Sequence, residues 1–210
     1  MDLICFFDTE TTGFLKGNDI KNPGQPHVVQ LAAVLADLSG KVQQTLSYIV
    51  KPEGYEIPDA AANVHKITTE RALKVGMSRD FVLQSFNNLI ELSDLLVCHN
   101  FNYDWNVMLA NAYRSKTYCN FKPYVCTMSD PNVIKYCALP PTQKMKNAGR
   151  FHHKTPNLTE LHEKCMGKDF GNAHNAMADV KATMNCFYHL VKEHIIEIPA
   201  SAKYTRFSKV

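Results

Sequence analysis

The N-terminal segment constrains the fold most strongly, because an apolar run there ends in two closely spaced acids. Residues 2–8 are almost continuously apolar up to Asp8, as in a strand buried on both faces of a sheet. Since side chains alternate along a strand, Asp8 and Glu10 are predicted to emerge on the same face, ~7 Å apart at their backbones. Two carboxylates at the end of an apolar strand are costly unless they are compensated, and Mg²⁺ or Mn²⁺ would compensate them. Solvated acids at a strand end are the alternative interpretation.

The remaining hydrophobic pattern predicts an α/β domain built around a mixed sheet. Apolar strands at about 27–36 and 45–50 follow the first strand, and the turn at Ser39-Gly40 favours an antiparallel meander. Helical spacing begins after Pro58, and a short buried strand at 94–98 interrupts it. The predicted element order is βββ-α-β-α-β-α, which is typical of one sheet flanked by helices.

The helices are predicted from their capping residues and apolar stripes. Ser78 is the expected N-cap of one helix, and Asn157 with Glu160 matches a capping box for another. Residues 115–156 are predicted to be the least regular part of the chain, with a short strand near Val125 and a helix near Asn132–Cys137. The last helix is predicted over about 175–194, with a core stripe of Met177, Val180, Met184, Phe187 and Val191.

Length and composition indicate one globular domain. The chain has 210 residues, 45% hydrophobic and 20% charged, so we expect a single domain at 1–198 followed by a short basic tail at 199–210. No apolar run approaches the ~18 residues of a membrane span, and the N-terminus lacks the basic leader of a secretory signal. Seven cysteines without a Cys-x-x-Cys pair favour reduced thiols in the cytoplasm over a zinc site. The net charge of +3 is too small to indicate a nucleic-acid partner by itself.

Further acids follow the ends of other predicted elements. Asp104 is in the first turn of the helix after the strand at 94–98, where the helix dipole alone would favour a carboxylate. His174 and Asp179 are five residues apart, which is the wrong interval for two ligands on one helical face. This spacing favours a histidine on the loop before the last helix and an acid on the helix itself.

Together these motifs resemble those of the DEDDh superfamily of exonucleases. The segments Asp8-x-Glu10, His99-Asn100-x-x-x-Asp104 and His174-x-x-x-x-Asp179 are similar to its three exonuclease motifs and occur in the same order. This ribonuclease-H-like superfamily includes the proofreading ε subunit of bacterial DNA polymerase III, and 157–161 with 173–176 resembles the ε-like branch. The resemblance implies a mixed five-stranded sheet, an antiparallel meander plus parallel strands, flanked by helices.

The resemblance also implies a role for each site residue. Asp8, Glu10, Asp104 and Asp179 would hold two divalent cations, Mg²⁺ or Mn²⁺, and His174 would be the general base that deprotonates the attacking water. Two such ions activate the nucleophile and stabilise the leaving 3′ oxygen. A histidine titrates near neutral pH, so it can accept the proton under physiological conditions.

Substrate contacts are implied less directly. Thr11 and Gly13 would offer backbone groups near the 3′-hydroxyl, and Phe14 would stack on the terminal base. The segment Val64-His65-Lys66-Ile67-Thr68 resembles the family's His-Gly-Ile-Thr stretch, so His65 would contact substrate and Ile67 would be a wedge. Phe14 and Ile67 are equally compatible with ordinary core positions. Two residues depart from the family pattern, namely Lys66 in place of Gly and Gln30 in place of Glu.

The resemblance implies 3′→5′ hydrolysis of phosphodiester bonds at DNA 3′ ends, single-stranded or frayed, with release of nucleoside 5′-monophosphates. The acid-free segment 143–159 carries Lys144, Lys146, Arg150 and Lys154, and it is either a solvated loop or a guide for the substrate strand. DNA is expected as the partner rather than RNA, because no residue clearly recognises a 2′-hydroxyl, although the motifs are shared with RNA-trimming enzymes. No membrane partner is expected. An RNA-trimming exonuclease and a non-catalytic nuclease-derived binding module are the alternatives, and a polymerase partner or a homodimer stays open.

Overall fold

The computed structural model describes residues 3–171 and 174–199 and has one mixed sheet of five strands in the order β3-β2-β1-β4-β5. The meander consists of β1 (Leu3–Thr11), β2 (Val28–Asp37) and β3 (Val42–Ile49), paired antiparallel. Strands β4 (Leu95–Cys98) and β5 (Tyr124–Cys126) continue the sheet parallel to β1. The predicted ribonuclease-H-like mixed sheet with flanking helices is confirmed.

Strand β1 is longer than the sequence predicts, because β2 pairs with it far beyond the apolar run. Asp8 lies opposite Ala32 and Glu10 opposite Gln30, so both acids are inside the ladder and not at the end of the strand. On the other side, β4 pairs with β1 only as far as Phe6. The edge of β1 that faces β4 is therefore free of strand pairing from the middle of the strand onward.

Eight helices are found in the described part of the chain, and three of them were not resolved by the sequence. The short helices α1 (Asp59–His65) and α2 (Thr69–Val75) divide the helical region after Pro58, and α6 (Gln143–Asn147) lies within the segment predicted to be irregular. The others are α3 (Arg79–Leu92), α4 (Phe101–Arg114), α5 (Pro131–Cys137), α7 (Leu158–Met166) and α8 (Ala176–Lys192).

The predicted capping residues begin the helices as expected. The Ser78 hydroxyl accepts a hydrogen bond from the Phe81 amide at the start of α3. Asn157 and Glu160 form a complete capping box at the start of α7, since each side chain accepts a hydrogen bond from the other residue's backbone amide. These caps satisfy amides that the first helical turn leaves without partners.

The sheet separates two apolar layers. Phe7 faces the layer formed with α3 and α4, and the neighbouring Phe6 faces the layer formed with α5, α7 and α8. The predicted core stripe of α8 packs in this second layer: Val180 and Phe187 are fully buried, and Met177, Met184 and Val191 are partly buried against it. Cys186 and Leu190 are fully buried in addition. The reason is that α8 packs on the sheet and on α7 together, which buries a broader face of the helix.

Two further predictions concern the ends of the chain. The basic tail predicted at 199–210 lies outside the described residues from 200 onward. Among the described residues, no helix is both long and apolar enough to cross a membrane.

Candidate active site

Three of the predicted acids come together at one side of the sheet. Asp8 and Glu10 project from the face of β1 against which α8 packs, and Asp179 comes from the first turn of α8. One carboxylate oxygen from each of the three acids lies within 4.8 Å of the others. The cluster thus joins Asp8 on β1 to Asp179 on α8, although the two residues are separated by 171 positions in the sequence.

The cluster concentrates negative charge in a partly buried place, and its pKa values reflect this. Burial and, after it, the negative charges of Asp179 and Asp104 raise the pKa of Glu10 to about 8. Burial is also the main reason why the pKa of Asp179 rises to about 6. The nearby His174 has the opposite effect and lowers this pKa. The pKa of Asp8 is raised by burial and by the other three acids. Ionised carboxylates this close need a cation to compensate them.

Asp104 lies outside the cluster of three but beside it, held against β1 by hydrogen bonds. Its Oδ1 accepts from the Thr9 amide at 3.0 Å and from the Thr9 hydroxyl at 2.6 Å, and its Oδ2 accepts from the Cys98 thiol at 3.4 Å. Burial raises the pKa of Asp104 to about 6, and these hydrogen bonds oppose the rise. Asp104 thereby occupies the edge of β1 that β4 leaves unpaired.

His174 lies next to Asp179 of the acid cluster. Its backbone amide donates to the Asp179 carboxylate at 3.1 Å, and the residue is exposed with a left-handed φ of 67°. Its charge lowers the pKa of Asp179 and of His65, so the imidazole is close to both. The predicted arrangement of a loop histidine followed by a helix acid is therefore found.

The turn after β1 is held by a residue that the sequence analysis did not select for the site. The Tyr103 hydroxyl on α4 donates to the Gly13 carbonyl at 2.7 Å and lies 2.6 Å from the Thr11 hydroxyl. Gly13 itself has a φ of 151°, which residues with a side chain rarely adopt. No local pattern in the sequence predicts the position of the Tyr103 hydroxyl group.

The other predicted substrate residues differ in exposure. Phe14 is 84% exposed, which leaves its ring free to contact a base, whereas Ile67 is 3% exposed and packs in a small core cluster. Ile67 thus occupies the core position left open as its alternative, and its buried side chain offers no surface for a wedge.

His65 and Lys66 complete the segment that precedes Ile67. His65 is 6% exposed at the end of α1, where Nδ1 accepts from the Ile67 amide and burial lowers the imidazole pKa. The Thr11 backbone lies close enough to act on that pKa in the opposite direction. Lys66, which replaces the expected glycine, adopts the left-handed φ of 60° that glycine would favour, and its Nζ donates to the Asn63 carbonyl.

Gln30 joins the cluster to the start of α8. It lies directly across from Glu10 in the β1–β2 ladder, and its Oε1 accepts from the Ala176 amide at 3.4 Å. Its Nε2 donates to the Ser47 hydroxyl at 3.3 Å, so both ends of the buried amide are used. Sequence reasoning noted Gln30 only as a departure from the family pattern.

The fold and the site together define the class of protein. A mixed sheet of this order, with acids from its first strand and last helix meeting on one face, is the architecture of a ribonuclease-H-like nuclease. The model of the exonuclease family RNase_T matches residues 5–187, and the chain therefore belongs to this family of exonucleases.

Solved structures with the same fold include Escherichia coli exonuclease I. Its complex with a dT13 oligonucleotide is 20% identical, with a TM-score of 0.71 over 90% of this chain and 41% of that chain. The complex with a dA16 oligonucleotide is 18% identical, with a TM-score of 0.71 over 93% of this chain and 42% of that one. A zinc-bound complex with single-stranded DNA is 19% identical, with a TM-score of 0.70 and coverages of 93% and 42%.

This chain thus spans about two fifths of the length of the exonuclease I chains. No curated protein sequence matches it.

Proposed function

We propose that this protein is a metal-dependent 3′→5′ exonuclease that removes nucleoside 5′-monophosphates from single-stranded or frayed DNA 3′ ends. The observation that carries the proposal is the cluster of Asp8, Glu10 and Asp179, whose ligand oxygens lie within 4.8 Å of one another. Membership of the exonuclease family supports the reaction class. The preference for DNA is supported by the similarity to exonuclease I, whose solved structures contain DNA oligonucleotides.

The donor set fits Mg²⁺ or Mn²⁺. It consists of carboxylate oxygens alone, which hard divalent cations prefer. Burial raises the pKa values of Glu10 and Asp179, so their ionised forms are unfavourable until a cation compensates them. In our proposal Asp8, Glu10 and Asp179 hold one ion, and Asp104 contributes to a second. Such a pair, when bound, lowers the pKa of the attacking water and stabilises negative charge on the reacting oxygens.

The side chains around the cluster would then orient the substrate and move the proton. His174 is exposed beside Asp179 and would accept the proton of the attacking water at an imidazole nitrogen. Thr11 and Gly13, fixed by Tyr103, would present backbone groups to the terminal nucleotide. The exposed ring of Phe14 would stack on its base, and His65, which lies next to the Thr11 backbone, would contact the same nucleotide.

We further propose that residues 1–198 act as one exonuclease domain in a reducing compartment such as the cytoplasm. A single sheet connects the described elements from β1 to β5, and α8 packs against its first two strands. All seven cysteines are free thiols, as expected where disulfides do not persist.

The direction and metal dependence can be tested with oligonucleotides labelled at either end. With Mg²⁺, a 5′-labelled strand should shorten progressively, and a 3′-labelled strand should release the labelled mononucleotide first. EDTA and Asp8→Asn should each stop the reaction, and Asp80→Asn, which changes an exposed acid at the start of α3, should not.

Several outcomes would contradict the proposal. Hydrolysis that persists in EDTA and in Asp8→Asn would rule out the metal site as the catalytic centre. Faster shortening of RNA than of DNA would favour the RNA-trimming alternative, and binding without hydrolysis of either would favour a non-catalytic module. His174→Ala separates the roles within the site, since it should lose turnover while keeping the thermal stabilisation by Mg²⁺.

A further inference from the structure

A cleft outside the acid cluster is lined by both apolar and basic residues. It has a volume of about 360 Å³ and lies between α5, α6 and the segment that follows α6. Pro131, Ile134 and Met145 form its apolar part. The basic residues Lys135, Arg150 and Lys154 also line it, together with His152 and His153.

The charge around this cleft is unbalanced. No acid occurs between Asp130 and Glu160, whereas five lysines and arginines lie in that interval. Lys154 is neutralised, because its Nζ contacts the Glu160 carboxylate at 2.6 Å. Lys144, Lys146 and Arg150 are exposed and form no ion pair within the described ranges 3–171 and 174–199. Lys154 therefore anchors the segment to α7, and the other cations are free to bind an anion.

An unpaired aromatic ring lies among these cations. Phe151 is 75% exposed and has no ring contact in the part of the chain that the structure describes. Because the Phe151 side chain is exposed between Arg150 and His152, it contributes little to the stability of the fold through burial. Aromatic rings flanked by cations are the platforms on which proteins stack the bases of single strands.

The backbone around Phe151 is held in place, so the ring is part of a defined surface. The Arg150 amide donates to the Met145 carbonyl at 2.9 Å, which turns the chain back after α6. The Lys154 amide donates to the Leu139 carbonyl at 3.2 Å, which closes the segment onto the end of α5.

The topology places this cleft at the same edge of the sheet as the acid cluster. Strands β1, β4 and β5 are parallel, so their carboxyl ends share one edge. The acids of β1 lie toward that end, and α5, which lines the cleft, begins just after β5. In addition, the backbone of Pro156 acts on the pKa of His99, which directly follows β4 and precedes Asp104 by five residues. The basic segment therefore borders the motif that carries Asp104.

We propose that the cleft and Phe151 form a second binding site for single-stranded nucleic acid, upstream of the terminal nucleotide. This inference rests on the proposed function, because the strand whose 3′ end enters the acid cluster would extend across this surface. Arg150, Lys144 and Lys146 would contact phosphates, and Phe151 would stack on a base without reading its identity.

The test measures how binding depends on strand length and on salt. Fluorescein-labelled oligothymidylates of about 4 and 16 nucleotides are bound to the full chain in EDTA, which prevents hydrolysis, and followed by anisotropy. For the long strand, Lys144→Ala/Lys146→Ala/Arg150→Ala should reduce the slope of log affinity against log salt by about 2, at ~0.7 per phosphate contact. Phe151→Ala should weaken binding about tenfold with little change in that slope.

The matched control is Lys192→Ala, at the end of α8 and ~20 Å of helix away from Asp179. Like each substitution of the triple variant, it removes one exposed positive charge. It should leave the affinity for the long strand within twofold. Circular dichroism of each variant confirms that the fold is retained.

The proposal is overturned if the triple variant and Phe151→Ala bind the long strand like the unmodified protein. It is equally overturned if they lose as much affinity for the short strand, since the residues would then act at the terminal nucleotide. Failure of the proposed function has a separate signature: no hydrolysis in Mg²⁺ by the unmodified protein, whatever the binding data show.

Discussion

Thr9 donates two hydrogen bonds to one oxygen of Asp104, from its amide at 3.0 Å and from its hydroxyl at 2.6 Å. This contact lies where β4 has ended and β1 continues, so a carboxylate takes the place of the next strand. Because Thr9 lies between Asp8 and Glu10, its side chain projects to the opposite face of β1. One three-residue stretch therefore provides two acids of the cluster and fixes the acid beside it.

Thr9→Val should impair the site without removing an acid. It keeps the size and the backbone amide of Thr9 but loses the hydroxyl that Asp104 accepts from. We expect the pKa of Asp104 to rise further, the affinity for Mg²⁺ to fall, and kcat to drop by about tenfold, since a hydrogen bond to a charged group contributes ~1.5–3 kcal/mol. Thr9→Ser restores the hydroxyl and should recover most of the activity; equal loss in both variants would assign the effect to packing.

The acid cluster should make the metal-free protein less stable as the pH rises. The pKa values of Glu10, at about 8, and Asp179, at about 6, lie above those of an unfolded chain, so the folded protein binds more protons. Stability in EDTA is therefore greatest below pH ~4 for these groups and is lost as the pH rises through 6 and 8. Thermal melts between pH 5 and pH 8 should show a falling Tm in EDTA and a flatter profile in Mg²⁺. A Tm independent of pH in EDTA would contradict this.

Asp8→Asn should separate stability from activity. Removing one negative charge relieves repulsion in the cluster, so the Tm in EDTA at pH 8 should rise by about 3–6 °C, which corresponds to ~1–2 kcal/mol in a chain of this size. Hydrolysis and the stabilisation by Mg²⁺ should both be lost. The control Asp80→Asn should change neither measurement, and an unchanged Tm for Asp8→Asn would indicate that the acids do not repel one another.

Local patterns were sufficient to predict individual strands, caps and the placement of single acids, whereas the five-stranded sheet and the convergence of the acids were implied by the family resemblance. Alternation along β1 predicts that Asp8 and Glu10 share a face, and the interval from His174 to Asp179 predicts a loop residue and a helix residue. The caps at Ser78 and Asn157 also depend on residues only three positions apart. In each case the physical cause lies within a few residues of the feature.

Features that depend on distant partners could not be predicted in this way. The acids are inside β1 because β2 extends alongside them, and the buried face of α8 is widened by α7. The hydroxyl of Tyr103 reaches Gly13 from a position 90 residues away in the sequence. Its helical periodicity indicates a core residue, and the polar end of the ring has no signature of its own.

Tyr103→Phe should weaken substrate binding more than turnover. The variant retains the ring but loses the hydrogen bonds that hold Gly13 and Thr11, so the turn after β1 becomes less ordered. We expect KM for a long oligonucleotide to rise about fivefold with kcat within twofold, and the free energy of unfolding to fall by ~1 kcal/mol. The matched control is Tyr113→Phe on the same helix, whose ring is 50% exposed. A fall in kcat with KM unchanged would argue against a role in holding the turn.

Gln30 should position the start of α8 and thereby Asp179. Its Oε1 accepts from the buried Ala176 amide, and Asp179 lies one turn further along the helix. Gln30→Leu leaves that amide without a partner, at a cost of ~1–3 kcal/mol, and should reduce Mg²⁺ affinity as well as the Tm. Gln30→Glu keeps an acceptor at the positive end of the helix, so it should retain the placement of Asp179 while adding a charge opposite Glu10. Magnesium titrations followed by thermal melts should therefore rank Gln30→Glu above Gln30→Leu. The reverse order would mean that repulsion from Glu10 outweighs the contact with α8.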